Sequence, residues 1–402
     1  MSLGTERKCE RVEAYIKSIL KEVVDLRREF HQYPELGLEE YKTSERVESE
    51  LRKIGLNTEK MHHTGIVATI KGKYEGPVLL YRTDMDGLPI KEETGLSFAS
   101  RNEGVMHACG HDLHMACAVG TARVIHHFRD RLHGSVRFMF QPCEERQPGG
   151  AKQMIEAGVL ENPQVDAAIG MHVTPDAEAG HFFALSGGVT SSPSWFEITI
   201  TGKGGHASCP EQCIDPIKAG HYIYGKISRL GEIYRKKRAV ISVTMFHGGE
   251  VQNVIPETCQ MAGTVRTFSS DKTEMIRTDL MDVCAEAERF FGVKVDISFR
   301  TSMNSVYNHP DMAERMKRII CRELGSDALE TDPWVFMGGE DFAEISDRVP
   351  AFFLFSGVGG KENSPKFPLH NPRFYADENM LEPAIRVISR FLLTFYLPQN
   401  RL

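Results

Sequence analysis

No run of apolar residues in this chain approaches the roughly 20 that a membrane-spanning helix requires, so the sequence offers no candidate span. The first residues, Met1-Ser2-Leu3-Gly4-Thr5-Glu6-Arg7-Lys8, are polar and charged and lack the apolar core of a secretory signal, which makes the cytoplasm the expected compartment. Concentrated positive charge is scarce as well. Against 48 basic residues stand 55 acidic ones, the net charge is −7, and the largest basic block is Arg235-Lys236-Lys237-Arg238, so neither nucleic acid nor a membrane is an expected partner. A disulfide framework is also missing. The nine cysteines are odd in number and scattered from Cys9 to Cys321, which suits reduced and mostly buried thiols. Repeats and low-complexity tracts are absent.

What is present is a soluble globular composition, 41% hydrophobic and 26% charged, in a chain of 402 residues. That length is too great for one ordinary core and favours two domains. Val12, Ile16, Ile19, Leu20, Val23, Leu26 and Phe30 recur at helical spacing until Tyr33-Pro34-Glu35-Leu36-Gly37 breaks the pattern, and Val12 to Ile54 reads as two helices. Short apolar runs then follow at Gly65 to Lys71, Val78 to Arg82, Val136 to Gln141, Ala167 to Met171 and Phe352 to Phe355, each bounded by turn residues as buried strands are. Helix-length segments such as Leu113 to His127 lie between several of them. The alternation implies an α/β fold with a mostly parallel sheet and helices on both faces.

From Gly187 onward the rhythm changes. Strands at Trp195 to Thr201, Ala239 to Phe246, Thr258 to Phe268 and Val293 to Phe299 are separated by helices at Ile214 to Leu230 and Thr273 to Phe291. This βαββαβ order is that of a ferredoxin-like layer, here an insertion. The α/β pattern resumes with helices at Asp311 to Leu324 and Glu382 to Tyr396, and Gly359 to Pro368 reads as a loop. The expected division is therefore residues 1–186 with 302–402 as one domain and 187–301 as the other.

The densest polar constellation is His107-Ala108-Cys109-Gly110-His111-Asp112-Leu113-His114. Cys109 and His111 flank a glycine ahead of a helix, so both can face one centre, and a thiolate with an imidazole suits zinc and similar divalent ions. A polar loop with a stray thiol is the alternative for this segment alone. Three more segments end expected strands with ligand-type residues: Asp84-Met85-Asp86-Gly87, Cys143-Glu144-Glu145, and Met171-His172. The carboxyl ends of parallel strands are where α/β sheets carry their sites. Hydrolysis of an amide at neutral pH needs an activated water, which a bound metal supplies by lowering its pKa from ~15.7 to about 7, and a carboxylate to move the proton. On an extended backbone the consecutive Glu144 and Glu145 diverge, so one is expected to ligate and the other to shuttle.

These motifs resemble the dinuclear metallopeptidases that include N-acyl-amino-acid amidohydrolases, hippurate hydrolases and the plant hydrolases of auxin conjugates. The resemblance runs through Arg28-Glu29-Phe30-His31, Pro34-Glu35-Leu36, Asp84 to Pro89, His107 to Asp112 and Gln141 to Glu145. It continues through Gly149-Gly150-Ala151, Gly170-Met171-His172, Gly204 to Ser208, Asn253 to Pro256, Gly338 to Phe342 and Leu369-His370-Asn371. It implies two divalent ions, zinc or manganese ahead of nickel or cobalt. Cys109 would bridge them, with His111 and Glu145 completing one and His172 and His370 the other. The His370 assignment has no support besides the resemblance. Glu144 is similar to the family's general base and Asp86 to the carboxylate that orients it or a ligand.

The resemblance further implies that 1–186 with 302–402 form the metal-binding catalytic domain and that 187–301 form a lid and dimerisation domain in a homodimer or a dimer of dimers. His206 would stabilise the oxyanion, often from the partner subunit, with Asn253 and Arg266 as substrate contacts. The expected reaction is removal of the acyl group from an N-acyl-L-amino acid, with a dipeptidase or carboxypeptidase as the alternative. A non-catalytic scaffold and a redox protein using Cys109 and Cys117 are weaker readings, since no ligand or base is missing and the two thiols lack redox spacing. Cys143 departs from the small residue usual in the family, and Cys209 and Cys213 near His206 lack the further ligands a metal site needs.

Overall fold

The computed structural model describes residues 3–147, 149–331, 334–360 and 367–397, with side chains from residue 11 onward. The expected loop at 359–368 therefore lies largely outside the described residues. The chain forms two compact units: Met1–Gly187 with Tyr307–Trp334 and Glu344–Leu402, and Gly188–Val306 with Val335–Ala343.

The first unit begins with α1 (Leu3–Gln32) and α2 (Tyr41–Lys53). Val12, Ile16, Ile19, Val23, Leu26 and Phe30 are all buried, as their spacing of three and four demands of one helix face. The strands β1 (Thr58–Lys60), β2 (Ile66–Lys71) and β3 (Tyr74–Asp84) follow, then α3 (His111–His127), β4 (His133–Gln141), α4 (Gly150–Glu156), β5 (Ala167–Glu178) and β6 (Phe182–Phe183). β7 (Gly187–Gly188) marks the passage to the second unit.

The second unit contains β8 (Ser192–Thr201), β9 (Gly205–His206), α5 (Pro216–Arg235), β10 (Val240–Gly248), β11 (Val254–Ile255), β12 (Thr258–Thr267), α6 (Ser270–Phe291) and β13 (Lys294–Thr301). Its four-stranded sheet has the order β10-β12-β8-β13 and is antiparallel throughout, which is the ferredoxin-like arrangement. Phe196, Ile198 and Ile200 alternate along β8 and form its core with Ile223 and Ile227 of α5 and Ile276 and Leu280 of α6. Residues 335–343, placed by sequence in the other domain, belong here. Ser191 explains why: its N–H donates to the Gly338 carbonyl at 3.0 Å and its hydroxyl to the Met337 carbonyl at 2.6 Å.

After β14 (Tyr307–Asn308) come α7 (Pro310–Leu324), α8 (Ala343–Ser346), β15 (Ala351–Gly359) and α9 (Leu381–Thr394). The seven-stranded sheet of the first unit runs β1-β2-β4-β3-β5-β15-β6. Its central strands β4, β3, β5 and β15 are parallel, and its flanking pairs are antiparallel. All nine residues of β15 are buried, so both faces of the sheet are covered there. Helix α3 packs against α1, α9 and the strands. A Cβ on Gly120 would come within 2.6 Å of Ile385 Cδ1, so glycine permits the close α3–α9 approach. Among the described residues, no helix is long and apolar enough to cross a membrane.

Candidate metal centre

β3 and β4 are parallel and end in register, Asp84 opposite Gln141, so the segments carrying Asp86 and Glu144-Glu145 emerge side by side. His172 differs from the expectation of a strand end, because β5 continues to Glu178. β3 leaves β5 after the pair Arg82 and Gly170, however, and His172 lies just beyond that point, paired only with Phe355 on the other side. Cys109 and His111 flank Gly110, whose φ of 86° and whose Cβ position, 2.4 Å from Val173 Cγ2, admit only glycine. His370 comes from a loop, with its N–H donating to the Ala108 carbonyl at 2.9 Å.

These segments bring the five expected ligands together. Cys109 Sγ lies 3.3 Å from His172 Nε2 and 3.3 Å from His370 Nε2. Glu145 Oε1 is 3.1 Å from His370 Nε2 and 4.0 Å from His111 Nε2. Donor atoms of Cys109, His111 and His172 fall within 4.8 Å of one another, as do those of Cys109, Glu145 and His370. Cys109 is common to both groups, although the pairing of the other four differs from the one the resemblance implies. A carboxylate oxygen of Glu144 joins His111 and Glu145 within the same limit. The two glutamates thus share one neighbourhood rather than diverging, because residues 144 and 145 lie in a bend rather than a strand, just after the left-handed Cys143.

The tautomers are set by the groups behind the ligands. His111 Nδ1 donates to the Asp86 carbonyl at 2.8 Å and His172 Nδ1 to the Val173 carbonyl at 2.7 Å, so each presents an Nε2 lone pair to the centre. His111 Nε2 is buried with no hydrogen bond among the described residues. His114, in contrast, is committed on both nitrogens. Nδ1 donates to Asp84 Oδ1 at 2.7 Å and Nε2 accepts the Val173 N–H at 3.0 Å, so the grouping of Asp84, His111 and His114 is a support rather than an ion site. Asp86 accepts the N–H of Glu144 at 3.1 Å and of Glu145 at 3.0 Å.

The charge balance calls for a cation. Burial opposes a charge on His111, but Asp84, Asp86 and Glu145 outweigh it and raise its pKa to about 10. Burial, with Glu145 and Glu144 adding to it, pushes the Cys109 thiol well above its usual range. Burial, followed by His114, holds His172 well below its own. A thiolate, a carboxylate and neutral imidazoles can therefore coexist here only around positive charge, which is the donor set for borderline-soft divalent ions.

The remaining expected residues lie in the second unit. His206 is exposed on β9, opposite Val254 of β11, and its Nδ1 accepts from the Ser208 hydroxyl at 2.7 Å. The Asn253 carbonyl accepts the Ala207 N–H at 3.0 Å, tying the two loops together. Arg266, half-buried on β12, places its guanidinium 5.6 Å from the Trp195 ring centroid, and burial lowers its pKa. Cys117 is a buried core residue of α3 with its thiol pushed up to about 12 by burial, the reverse of the exposed, low-pKa setting of redox thiols. Glu40 joins the site unannounced by the sequence: its buried carboxylate accepts the Cys143 N–H at 2.9 Å, and nothing local distinguishes it from the other acidic residues before α2.

With that geometry in view, residues 80–394 match the peptidase family M20/M25/M40. N-acetylcysteine deacetylase of Bacillus subtilis is 37% identical, over 92% of this chain and 95% of the relative. Thermostable carboxypeptidase 1 of Saccharolobus solfataricus is 34% identical, over 93% and 95%. Among solved structures, the Bacillus subtilis YXEP protein, described as a dinuclear metal-binding peptidase of the M20 family, has a TM-score of 0.82 at 33% identity, covering 94% of this chain and 99% of its own.

Proposed function

The chain belongs to the peptidase family M20/M25/M40, and from that premise we propose that it removes the acyl group from N-acyl-L-amino acids. It is a metal-dependent hydrolase of amide bonds. The observation that carries the reading is the meeting of Cys109, Glu145 and His370 with two histidines whose Nε2 lone pairs are fixed from behind. Two divalent ions held by these five side chains, zinc or manganese in the first instance and otherwise nickel or cobalt, would polarise the scissile carbonyl and lower the pKa of water to about 7.

The chain's own groups do the rest. Glu144 takes the proton of the attacking water and returns it to the departing amine nitrogen. Asp86 holds the backbone of both glutamates and, through its carbonyl, the His111 ring. With Nδ1 engaged by Ser208, His206 offers Nε2–H to the developing oxyanion, from the partner subunit. Arg266 binds the substrate carboxylate through its planar fork, and Asn253 contributes a polar contact beside His206.

A homodimer, alone or paired into a dimer of dimers, is part of the proposal. β10 is an edge strand of the second unit with Met245 and Phe246 exposed, 53% and 41%, and an uncovered edge of this kind pairs readily with a second copy. In this reading the second unit, Gly188–Val306 with Val335–Ala343, is the lid and dimerisation domain and the first unit is the catalytic domain. None of the eight described cysteines is in a disulfide, in keeping with the proposed cytoplasmic location.

A carboxypeptidase is the second reading, favoured by the Saccharolobus relative. Relative kcat/KM on acetyl- and benzoyl-amino acids against dipeptides tests the choice. Preference for the acyl-amino acids is expected, and preference for dipeptides transfers the enzyme to the second reading.

A further inference from the structure

The connector from α1 to α2 carries Pro34, Glu35 and Leu36, motif residues that the reaction as described leaves unused, and then Gly37. It touches both segments that carry the acidic groups of the centre. The Glu35 carbonyl accepts the Gly87 N–H at 2.7 Å, and Leu36 bridges Gly87, the neighbour of Asp86. Gly37 lies against Cys143, since a Cβ there would stand 3.0 Å from Cys143 Sγ and 3.1 Å from its Cα. At the end of the connector, fully buried Glu40 reaches the same turn. Oε1 accepts the Cys143 N–H at 2.9 Å and Oε2 accepts the Thr64 hydroxyl at 2.6 Å.

Helix capping does not account for Glu40. It occupies the N-cap position of α2 but makes no side-chain cap hydrogen bond. The open N–H groups of Lys42 and Thr43 go to the Glu35 carboxylate instead, at 3.3 Å and 2.8 Å. A buried carboxylate is costly unless its oxygens are satisfied, and those of Glu40 are committed to Cys143 and Thr64.

The turn it holds is an uncommon one. Cys143 has φ of 55°, in the left-handed region that a side chain disfavours. Three successive N–H groups then point at two buried carboxylates: Cys143 at Glu40, and Glu144 and Glu145 at Asp86. The Cys143 carbonyl is held in turn by the Gly150 N–H at 2.9 Å.

We propose that Glu40 is a positioning residue for the reaction: it pins the left-handed Cys143 so that Glu144 and Glu145 leave the turn in fixed directions toward the metal centre. The proposal rests on Glu144 being the base and Glu145 a ligand. A displacement near 1 Å in a catalytic group costs on the order of 100-fold in rate, so a brace on this turn has leverage on turnover without touching substrate.

The test compares Glu40→Ala and Glu40→Gln in the full-length, metal-loaded enzyme, by amide hydrogen exchange over residues 141–147 and by steady-state kinetics. Glu40→Ala is expected to speed exchange at Cys143 to Glu145 about tenfold or more and to lower kcat about 10- to 100-fold with KM little changed. Glu40→Gln keeps an acceptor for Cys143, and Thr64 can rotate to accept from its amide, so it should restore most of both. Unchanged exchange in Glu40→Ala overturns the brace. Faster exchange with full kcat overturns its link to catalysis. Equal loss in both variants, with exchange raised along all of β4, marks a general structural role and also overturns it. The exchange arm needs no substrate, so a failure of the amidohydrolase reading on the substrate panel is separable from a failure of the brace.

Discussion

His370 Nε2 lies 3.3 Å from Cys109 Sγ, although 261 residues separate the two in the chain. The N–H of His370 also donates to the carbonyl of Ala108, so backbone and ring both converge on the Cys109 turn. A loop near the carboxyl end of the chain thereby meets a cluster whose other proposed ligands come from the turn before α3, the first residue of α3, the segment after β4, and β5.

Cys109 is the donor shared by both ligand groups, and its replacement should be the most damaging to metal binding. A serine hydroxyl does not ionise at neutral pH as a metal-bound thiol does, so Cys109→Ser is expected to lower metal affinity about tenfold or more, with activity falling alongside. Elemental analysis after dialysis, with circular dichroism to verify the fold, checks this. Wild-type metal content in a folded Cys109→Ser protein would remove Cys109 from the ligand set.

Glu144 and Glu145 should separate cleanly. Glu144→Gln is expected to retain its metal and to lose about 10²- to 10⁴-fold in kcat, the usual contribution of a positioned base. Glu145→Gln should lose metal. Parallel metal and rate measurements on the two variants decide the roles, and full activity in Glu144→Gln would place the base elsewhere.

The strand-end residues were legible because each follows a short apolar run, and the switch of hydrophobic period from 3.6 to 2 marks where such runs begin. Three features were not. β5 runs on past His172 because its register is set by β15, a partner distant in sequence. The expected divergence of Glu144 and Glu145 assumed extended backbone, whereas Cys143 is left-handed and held by Glu40, 103 residues away. His370 sits in a loop with φ of 65° and no periodicity, so only the family resemblance pointed to it. Strands of two or three residues, such as β1, β6, β9 and β11, are too short to show a period at all.

Away from the metal centre, the ion-pair cluster around Glu50 should shape acid stability. Burial raises its pKa, but Lys53, Arg46 and Arg123 prevail and hold it at about 2. Because the folded value is depressed below the ordinary 4.5, the stabilisation is fully present above about pH 4.5 and is lost as pH falls toward 2. Glu50→Gln should lower stability at pH 7 and flatten the stability slope between pH 4.5 and 2. Urea unfolding at several pH values measures both. An unchanged slope would show that the three cations do not stabilise the carboxylate.

His206 carries a prediction about subunits. His206→Ala should keep its metal and its oligomeric state while losing on the order of 10²-fold in kcat, as oxyanion donors do when removed. Mixed and reassembled with Glu144→Gln, it should regain part of the wild-type rate, because each heterodimer then holds one intact site. Absence of recovery after verified subunit exchange would assign His206 to its own subunit's site.

The most direct test of the central claim is titration of the chelator-stripped enzyme with zinc or manganese, following bound metal and release of free amino acid from an N-acetyl-amino acid together. No turnover is expected without metal, and full turnover as binding approaches two ions per chain. Turnover in the stripped enzyme, or saturation with metal and no amide hydrolysis on any acyl-amino acid or dipeptide, would contradict it.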